Sequence, residues 1–311
     1  SVWLAWFLVR ILEDFSELCS LQKDPDCAMR YRKCAKAFKN AIERNAWDGQ
    51  WYLRAFNDDG TTLGSKQNDE CSIDSIPQTW SVLANGAGDQ HSRMAMDSVA
   101  KNLIDPEHGL ILLFTPAFDH VQHDPGYIKG YPPGIRENGG HYSHAAAWVA
   151  SAFAKMGVGD QAVKILGMLN PIARSSTREK AELFKLEPYV TAADIYSNPQ
   201  HVGRGGWSWY TGSAAWVYRV WLEQVLGLRL QGDHFAVNPC IPAGWKEFTM
   251  RLKKKNTLYE IRVENPEGVS QGISELTIDG TRAEGLKVPL VGDQRTVKVQ
   301  ILLGGEKNKA R

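Results

Sequence analysis

No long apolar run occurs in this sequence. Its opening, Ser1-Val2-Trp3-Leu4-Ala5-Trp6-Phe7-Leu8-Val9-Arg10, is apolar but is interrupted by Arg10, Glu13 and Asp14, well short of the roughly 20 residues a membrane-spanning helix needs. No signal peptide is evident in it. An excess of one charge is also lacking. The 36 Lys and Arg face 35 Asp and Glu, a formal net charge of +1, which argues against a polyanion-binding surface and a nucleic-acid partner. Cysteine is sparse, with 5 residues. Cys19, Cys27 and Cys34 lie in helix-like sequence while Cys71 and Cys240 stand alone, so neither a disulfide framework nor a metal site is expected, and the usage fits a reducing compartment. His141 and His144 have no HExxH pattern and no third ligand at a recognisable spacing, which also speaks against metal. The run Gly203-Arg204-Gly205-Gly206 lacks the lysine and spacing of a GxxxxGK[ST] loop.

What is abundant is tryptophan, with 11 residues in 311, several of them beside Gly, Asp or Asn, where core packing alone is a weak explanation. The length allows one large domain or two ordinary ones with a substantial core, and 43% hydrophobic with 23% charged residues is the balance of a globular protein. The stretch Trp47–Gln78 concentrates the unusual chemistry: rings, acids and Arg54 packed around glycines, between two helical runs. Such a mixture suits a sugar site, where rings stack on pyranose faces and carboxylates and amides grip hydroxyls.

Periodicity predicts helices over 2–20, from Asp24-Pro25 to near Asn45, from about Ser75, over 90–103 with Asp89 as cap, and over 140–156 and 160–169. Residues 115–138 and 183–210 read as long loops, which are uncommon unless functional. An apolar helix follows through Ala214, Trp216, Val220 and Leu226. From Gly227 the texture changes to short alternating segments, with Asp279-Gly280 as a hairpin turn. The expected organisation is mainly alpha plus beta: a helical part over 1–226 and a C-terminal beta domain over 227–311.

Three segments carry candidate chemistry, and each has a bland reading beside the functional one. Asp48, between Trp47 and Gly49, is a proton donor to a glycosidic oxygen or a loop cap. Trp47 and Trp51 stack on sugar or belong to the core, and Arg54 pairs with Asp58, Asp59 or Glu70. Glu70 and Asp74 share a face if their segment is helical, the look of a hydrolase pair. In Arg136-Glu137-Asn138-Gly139-Gly140-His141-Tyr142-Ser143-His144, Asn138 or Ser143 is expected to cap the next helix, whose first-turn N–H groups suit an anion with His144 as a further donor. Thr211-Gly212 is a helix cap or a phosphate cradle.

Taken in order, Trp47-Asp48-Gly49-Gln50-Trp51-Tyr52-Leu53-Arg54-Ala55, Asp58-Asp59-Gly60-Thr61-Thr62-Leu63-Gly64-Ser65, Arg136-Glu137-Asn138-Gly139-Gly140 with His144, and Trp209-Tyr210-Thr211-Gly212 resemble glycoside hydrolase family 94, the cellobiose/chitobiose phosphorylase family. The flavour is that of the C-terminal region of cyclic beta-1,2-glucan synthases or of beta-1,2-oligoglucan phosphorylases, and the resemblance runs over nearly the whole chain. It implies part of an (alpha/alpha)6 barrel followed by a C-terminal beta domain. The implied activity is inverting phosphorolysis of a beta-glucosidic bond, giving alpha-glucose 1-phosphate, with inorganic phosphate as co-substrate and no cofactor. In the matching motifs Asp48 is implied as general acid. His144, Thr211 and Gly212 are implied at phosphate, and Trp47, Arg136, Glu137, Glu70 and Gln78 at the sugar. Family members are much longer, so the barrel portion is expected to be incomplete, its N-terminal part supplied by a longer parent chain. A cytoplasmic location is expected, as a soluble region of a larger membrane-anchored synthase. The other readings are a non-catalytic glucan-binding or chain-length-controlling module and an inverting glucan hydrolase.

Overall fold

The computed structural model describes residues 1–85, 89–120, 124–209 and 212–305. The chain divides into two compact units, Ser1–Ala152 with Ile165–Trp216, and Phe153–Lys164 with Val217–Arg311. The first is built on helices. α1 (Val2–Leu21) packs on α2 (Pro25–Asn45), and α3 (Ser75–Asn85) packs on α1 and on α4 (Gln90–Asn102). Local chemistry starts them where the sequence predicts. Asp24 accepts the Cys27 N–H at 3.0 Å ahead of Pro25, and Asp89 accepts the Ser92 N–H at 2.8 Å. Next come α5 (Ser143–Lys155) and α6 (Gly159–Leu169), then two short helices that periodicity does not reveal, α7 (Pro171–Arg174) and α8 (Arg178–Phe184). Asn170 and Thr177 cap them, accepting from Ile172 and Lys180. The last helix, α9 (Gly212–Arg219), runs directly into a π-helical stretch, Val220–Val225.

Two-residue strands precede α3 and α5. Ile73–Asp74 pairs with Phe114–Thr115, and His141–Tyr142 pairs with Asp194–Ile195. The parallel extends to sequence: Ser75, Ser143 and Thr211 are equally spaced along the chain, and so are Trp80, Trp148 and Trp216. Trp80 meets Trp148 at 5.3 Å between centroids and 83°, and Trp148 meets Trp216 at 5.4 Å and 85°, the edge-to-face geometry favoured by the ring quadrupole. Trp3 of α1 joins the cluster, 6.1 Å from both Trp80 and Trp148. Four of the 11 tryptophans therefore form one aromatic cluster linking the early turns of α3, α5 and α9 to α1.

In the second unit the strand order is Glu247–Lys254, Thr257–Glu264, Thr296–Leu303, Ile273–Ile278 and Thr281–Arg282. Thr257–Glu264 and Thr296–Leu303 run parallel, and the other pairs antiparallel. Alternation fixes the register: Tyr259, Ile261 and Val263 are buried on one strand and Val297, Val299 and Ile301 on its neighbour. Asp279 and Gly280 both take positive φ, 49° and 80°, the requirement of the tight turn their sequence predicts. A three-stranded sheet joins Lys287–Pro289, His234–Val237 and Leu228–Gln231. Among the described residues no helix is long and apolar enough to cross a membrane.

Candidate active site

Asp48 sits in a loop that folds back on itself. Its N–H donates to Trp51 O at 2.9 Å, and its Oδ2 accepts from the Lys66 N–H at 2.9 Å and the Ser65 hydroxyl at 3.2 Å. Oδ1 takes no hydrogen bond among the described residues and the side chain is half-buried, so one oxygen is fixed and the other is available to a ligand. Trp47 lies flat on His91, 4.1 Å between centroids and 9° between planes, and edge-on to Tyr52 at 4.9 Å. Glu43 holds both partners, accepting from Tyr52 Oη at 2.7 Å and meeting His91 Nδ1 at 2.8 Å. Trp51 is buried, and its indole N–H reaches the carbonyls of Gly64 and Ser72, so it ties the loop together.

The start of α3 corrects several expectations. Arg54 pairs with Asp74 rather than with Asp58, Asp59 or Glu70, and its guanidinium lies 5.1 Å from the Phe114 ring centroid. Asp74 belongs to a strand and Glu70 to the loop before it, so the two acids do not share a helical face. Asp74 also accepts the Ile76 N–H at 2.7 Å. Glu70 Oε1 accepts the backbone N–H groups of Asp119 and His120, both at 2.7 Å. Gln78 is fully buried. Its Oε1 accepts the Tyr52 N–H and its Nε2 donates to Tyr52 O and Asp74 O, which puts it beneath the loop rather than in its lining.

Around α5, Asn138 does not cap the helix. It ties Phe118 to Tyr131 instead, accepting the Phe118 N–H at 2.8 Å and donating to Phe118 O and Tyr131 O. Ser143 makes no cap either: its hydroxyl is buried without a partner and its N–H donates to Ala193 O. The contrast with α3 is direct, since Asp74 caps Ile76 whereas Tyr142 stands where Asp74 would be. The His144 N–H therefore has no acceptor among the described residues. An uncapped helix start favours an anion. The His144 ring stands edge-on between Tyr142 and Trp148, 4.8 Å from each, and its nitrogens make no hydrogen bond among the described residues. Burial pushes this imidazole down, against a weaker upward pull from Glu137. Glu137 accepts from Tyr142 Oη at 3.1 Å and lies 3.5 Å from Arg136 Nε. Gly140 is required, because a Cβ there would stand 2.8 Å from Arg136 O.

His141 has a different role. It is fully buried and its Nδ1 accepts the Ile111 N–H at 2.9 Å, so the neutral ring carries its proton on Nε2. Burial, then the charge of Arg174, hold its pKa well below the usual 6.5. Below that value the unfolded chain takes up a proton that the folded ring does not. Stability is therefore expected to fall with falling pH, by up to about 1.4 kcal/mol per pH unit. His141→Asn, whose carbonyl can still accept from Ile111, should flatten that slope; denaturation midpoints between about pH 7 and pH 5 provide the check, and an unchanged slope would refute it.

Asp194 is the residue the sequence gives no reason to select. Fully buried, it accepts the Arg136 N–H at 3.2 Å and the Trp207 N–H at 3.3 Å, and burial pushes its carboxyl up against those hydrogen bonds and the Arg136 charge. Its only sequence signal is the glycine-rich run opposite. Gly206 has no room for a side chain, since a Cβ would lie 2.3 Å from Asp194 Oδ1. Gly212 begins α9 with open space around its Cα; Thr211 lies outside the described residues.

Backbone hydrogen bonds join these segments one after another. Ser75 N–H donates to Leu113 O, Leu113 N–H to Gly140 O, Ser143 N–H to Ala193 O, and Ala193 N–H to Trp207 O, at 2.7 to 2.9 Å. The Tyr52–Gln78 and Arg54–Asp74 contacts add the Asp48 loop at the α3 end. Loops distant in sequence are thus neighbours along the starts of α3 and α5. Residues 1–227 match the family model described as Glycosyl hydrolase 94 superfamily, catalytic domain. The chain belongs to that family. Among family relatives it is 44% identical over 263 residues to a cyclic beta-(1,2)-glucan synthase of Rhizobium meliloti (strain 1021), covering 85% of this chain and 9% of that one. An N,N'-diacetylchitobiose phosphorylase of Vibrio furnissii is 31% identical over 292 residues, covering 93% and 36%. A solabiose phosphorylase of Paenibacillus borealis is 30% identical over 304 residues, covering 97% and 39%. The chain thus spans between 9% and 39% of the length of these three relatives. A solved structure named as a sialidase superposes with a TM-score of 0.55 at 14% identity, over 79% of this chain and 22% of that one, a likeness of fold alone.

Proposed function

We propose that this family 94 chain is part of a longer inverting phosphorylase that cleaves β-1,2-glucosidic bonds with inorganic phosphate and releases α-glucose 1-phosphate. On this reading the helical unit is a portion of an (α/α)6 barrel and the chain is a cytoplasmic, soluble region of a larger membrane-anchored synthase. Asp48 protonates the glycosidic oxygen as its bond to C1 breaks. A phosphate oxygen bonds to C1 from the opposite face, which inverts the centre. His144, Thr211 and Gly212 hold phosphate at the helix starts, where unpaired N–H groups and the helix dipole favour negative charge. Trp47, Arg136 and Glu137 grip the sugar, and positioning supplies much of the rate. Because phosphate is already a competent nucleophile, no second carboxylate has to activate water.

The observation that carries this reading is the hydrogen-bonded succession of the Asp48 loop, the start of α3, the Arg136–Gly140 turn and the uncapped start of α5. The hydrolase reading rests on Asp48 with Glu70 and Asp74, and the last two acids, its candidates for activating water, are engaged by backbone N–H groups and by Arg54. Incubation of the intact polypeptide with β-1,2-, β-1,3- and β-1,4-linked gluco-oligosaccharides tests it. α-Glucose 1-phosphate is expected from the β-1,2 series with phosphate, and no product without it. Reducing sugar released without phosphate would replace phosphorolysis by hydrolysis; saccharide binding without turnover would leave a binding module.

A further inference from the structure

Among the described residues, Gly206, Trp207, Ser208 and Trp209 line a hollow of about 460 Å³. Trp209 is 86% exposed and Trp207 47%. These are large values for the residue type that folded chains bury most profitably. The backbone leading into this segment is nevertheless firmly held, from Gly205 to Trp207. Gly205 N–H donates to Phe184 O and Gly206 N–H to Asp194 O, both at 2.9 Å, while Trp207 O accepts from the Ala193 N–H at 2.7 Å. The Asp194 carboxylate closes the set, receiving the Trp207 N–H on one oxygen and the Arg136 N–H on the other.

We infer that Trp207 and Trp209 form a saccharide-stacking platform, a subsite for a glucose ring outside the bond being broken, with Asp194 as the positioning residue that sets it against the Arg136–Glu137 turn. A flat indole on a short segment whose backbone is held at Trp207 loses little conformational freedom on meeting a pyranose face, and Ser208, between the two tryptophans in sequence, supplies a hydroxyl for the sugar's polar edge. One buried carboxylate serves both loops, so the platform and the turn keep a fixed relation. Gly206 explains how this is possible: the backbone reaches the carboxylate only because no side chain intervenes. The inference deepens the phosphorylase reading by giving the substrate an additional point of attachment along its length, and for that role it rests on that reading.

The test uses the intact polypeptide and two readouts. Calorimetric titration without phosphate, using β-1,2-, β-1,3- and β-1,4-linked glucose hexasaccharides, measures binding alone. Trp209→Ala is expected to weaken binding of the preferred hexasaccharide about tenfold, equivalent to about 1.4 kcal/mol, while Trp209→Phe retains most of it. Circular dichroism and the unfolding midpoint of the variant check that its fold is intact. Phosphorolysis by the same variants should show KM for the hexasaccharide rising with kcat little changed. Asp194→Asn, which keeps an acceptor for only one of the two loops, should raise KM in the same way. Sugar phosphate released by the wild type with Trp209→Ala binding normally would overturn the platform and leave phosphorolysis standing. Weakened binding in Trp209→Ala with no sugar phosphate from the wild type would support the platform and remove phosphorolysis. Absence of wild-type binding to all three hexasaccharides would overturn the platform outright.

Discussion

Asp48→Asn is expected to lower phosphorolysis of the natural glucan by about 100- to 10,000-fold, the range associated with loss of a positioned general acid. The substitution is chosen because the loop should survive it. Oδ2 of Asp48 accepts from Lys66 and Ser65, and the asparagine carbonyl can keep both bonds. Only the capacity to give up a proton disappears. KM should therefore change little while kcat falls, the signature of an interaction made in the transition state. A glucoside whose leaving group departs without protonation, such as a dinitrophenyl glucoside, should lose far less. Equal losses on both substrates would mean that Asp48 shapes the site without supplying a proton, and undiminished turnover of the glucan would remove it from the chemistry.

The second large effect concerns stability. Asp74→Ala is expected to destabilise the helical unit by about 3–5 kcal/mol, because it leaves the Arg54 guanidinium largely buried and unpaired. Loss of the cap on Ile76 adds about 1 kcal/mol. Arg54→Ala strands the opposite charge and should cost a similar amount. Replacing both by apolar residues of matching size, Arg54→Met with Asp74→Leu, is expected to recover most of the loss apart from the cap, since the penalty comes from an isolated charge rather than from a missing attraction. Denaturant unfolding followed by tryptophan emission measures this, the aromatic core of that unit being its reporter. Single substitutions costing under about 1 kcal/mol, the level of an exposed pair, would contradict the buried-pair account.

Helix positions and the change to strands after Gly227 were readable because periodicity, Asp24-Pro25, Asp89 and Asp279-Gly280 are local signals that tertiary contacts reinforce. Partner choice was not. Arg54 passes over three nearer acids for Asp74 because the strand Ile73–Asp74 delivers that carboxylate into the same buried space. Asn138 has the right residue type and position for a cap, yet the backbone groups of Phe118 and Tyr131 take all three of its side-chain hydrogen bonds. The family resemblance implies Gln78 at the sugar, but it faces backbone groups brought to it from 26 residues away. Asp194 offered least of all: an acid in an apolar stretch gains meaning only when two loops are seen to converge on it. The roles given to Asp48, Arg136, Glu137 and His144 come from family resemblance alone, since no local pattern in the residues themselves assigns them.

The equally spaced indoles have a mechanical consequence. Trp80 and Trp148 each sit about one and a half turns past the first residue of their helix, and each touches the next ring of the series. Such contacts act as a spirit level, holding the mouths of neighbouring helices at one height whatever the connecting segments do. Lengthening a loop should leave the two mouths level; removing the middle indole, Trp148, should let them slide past each other.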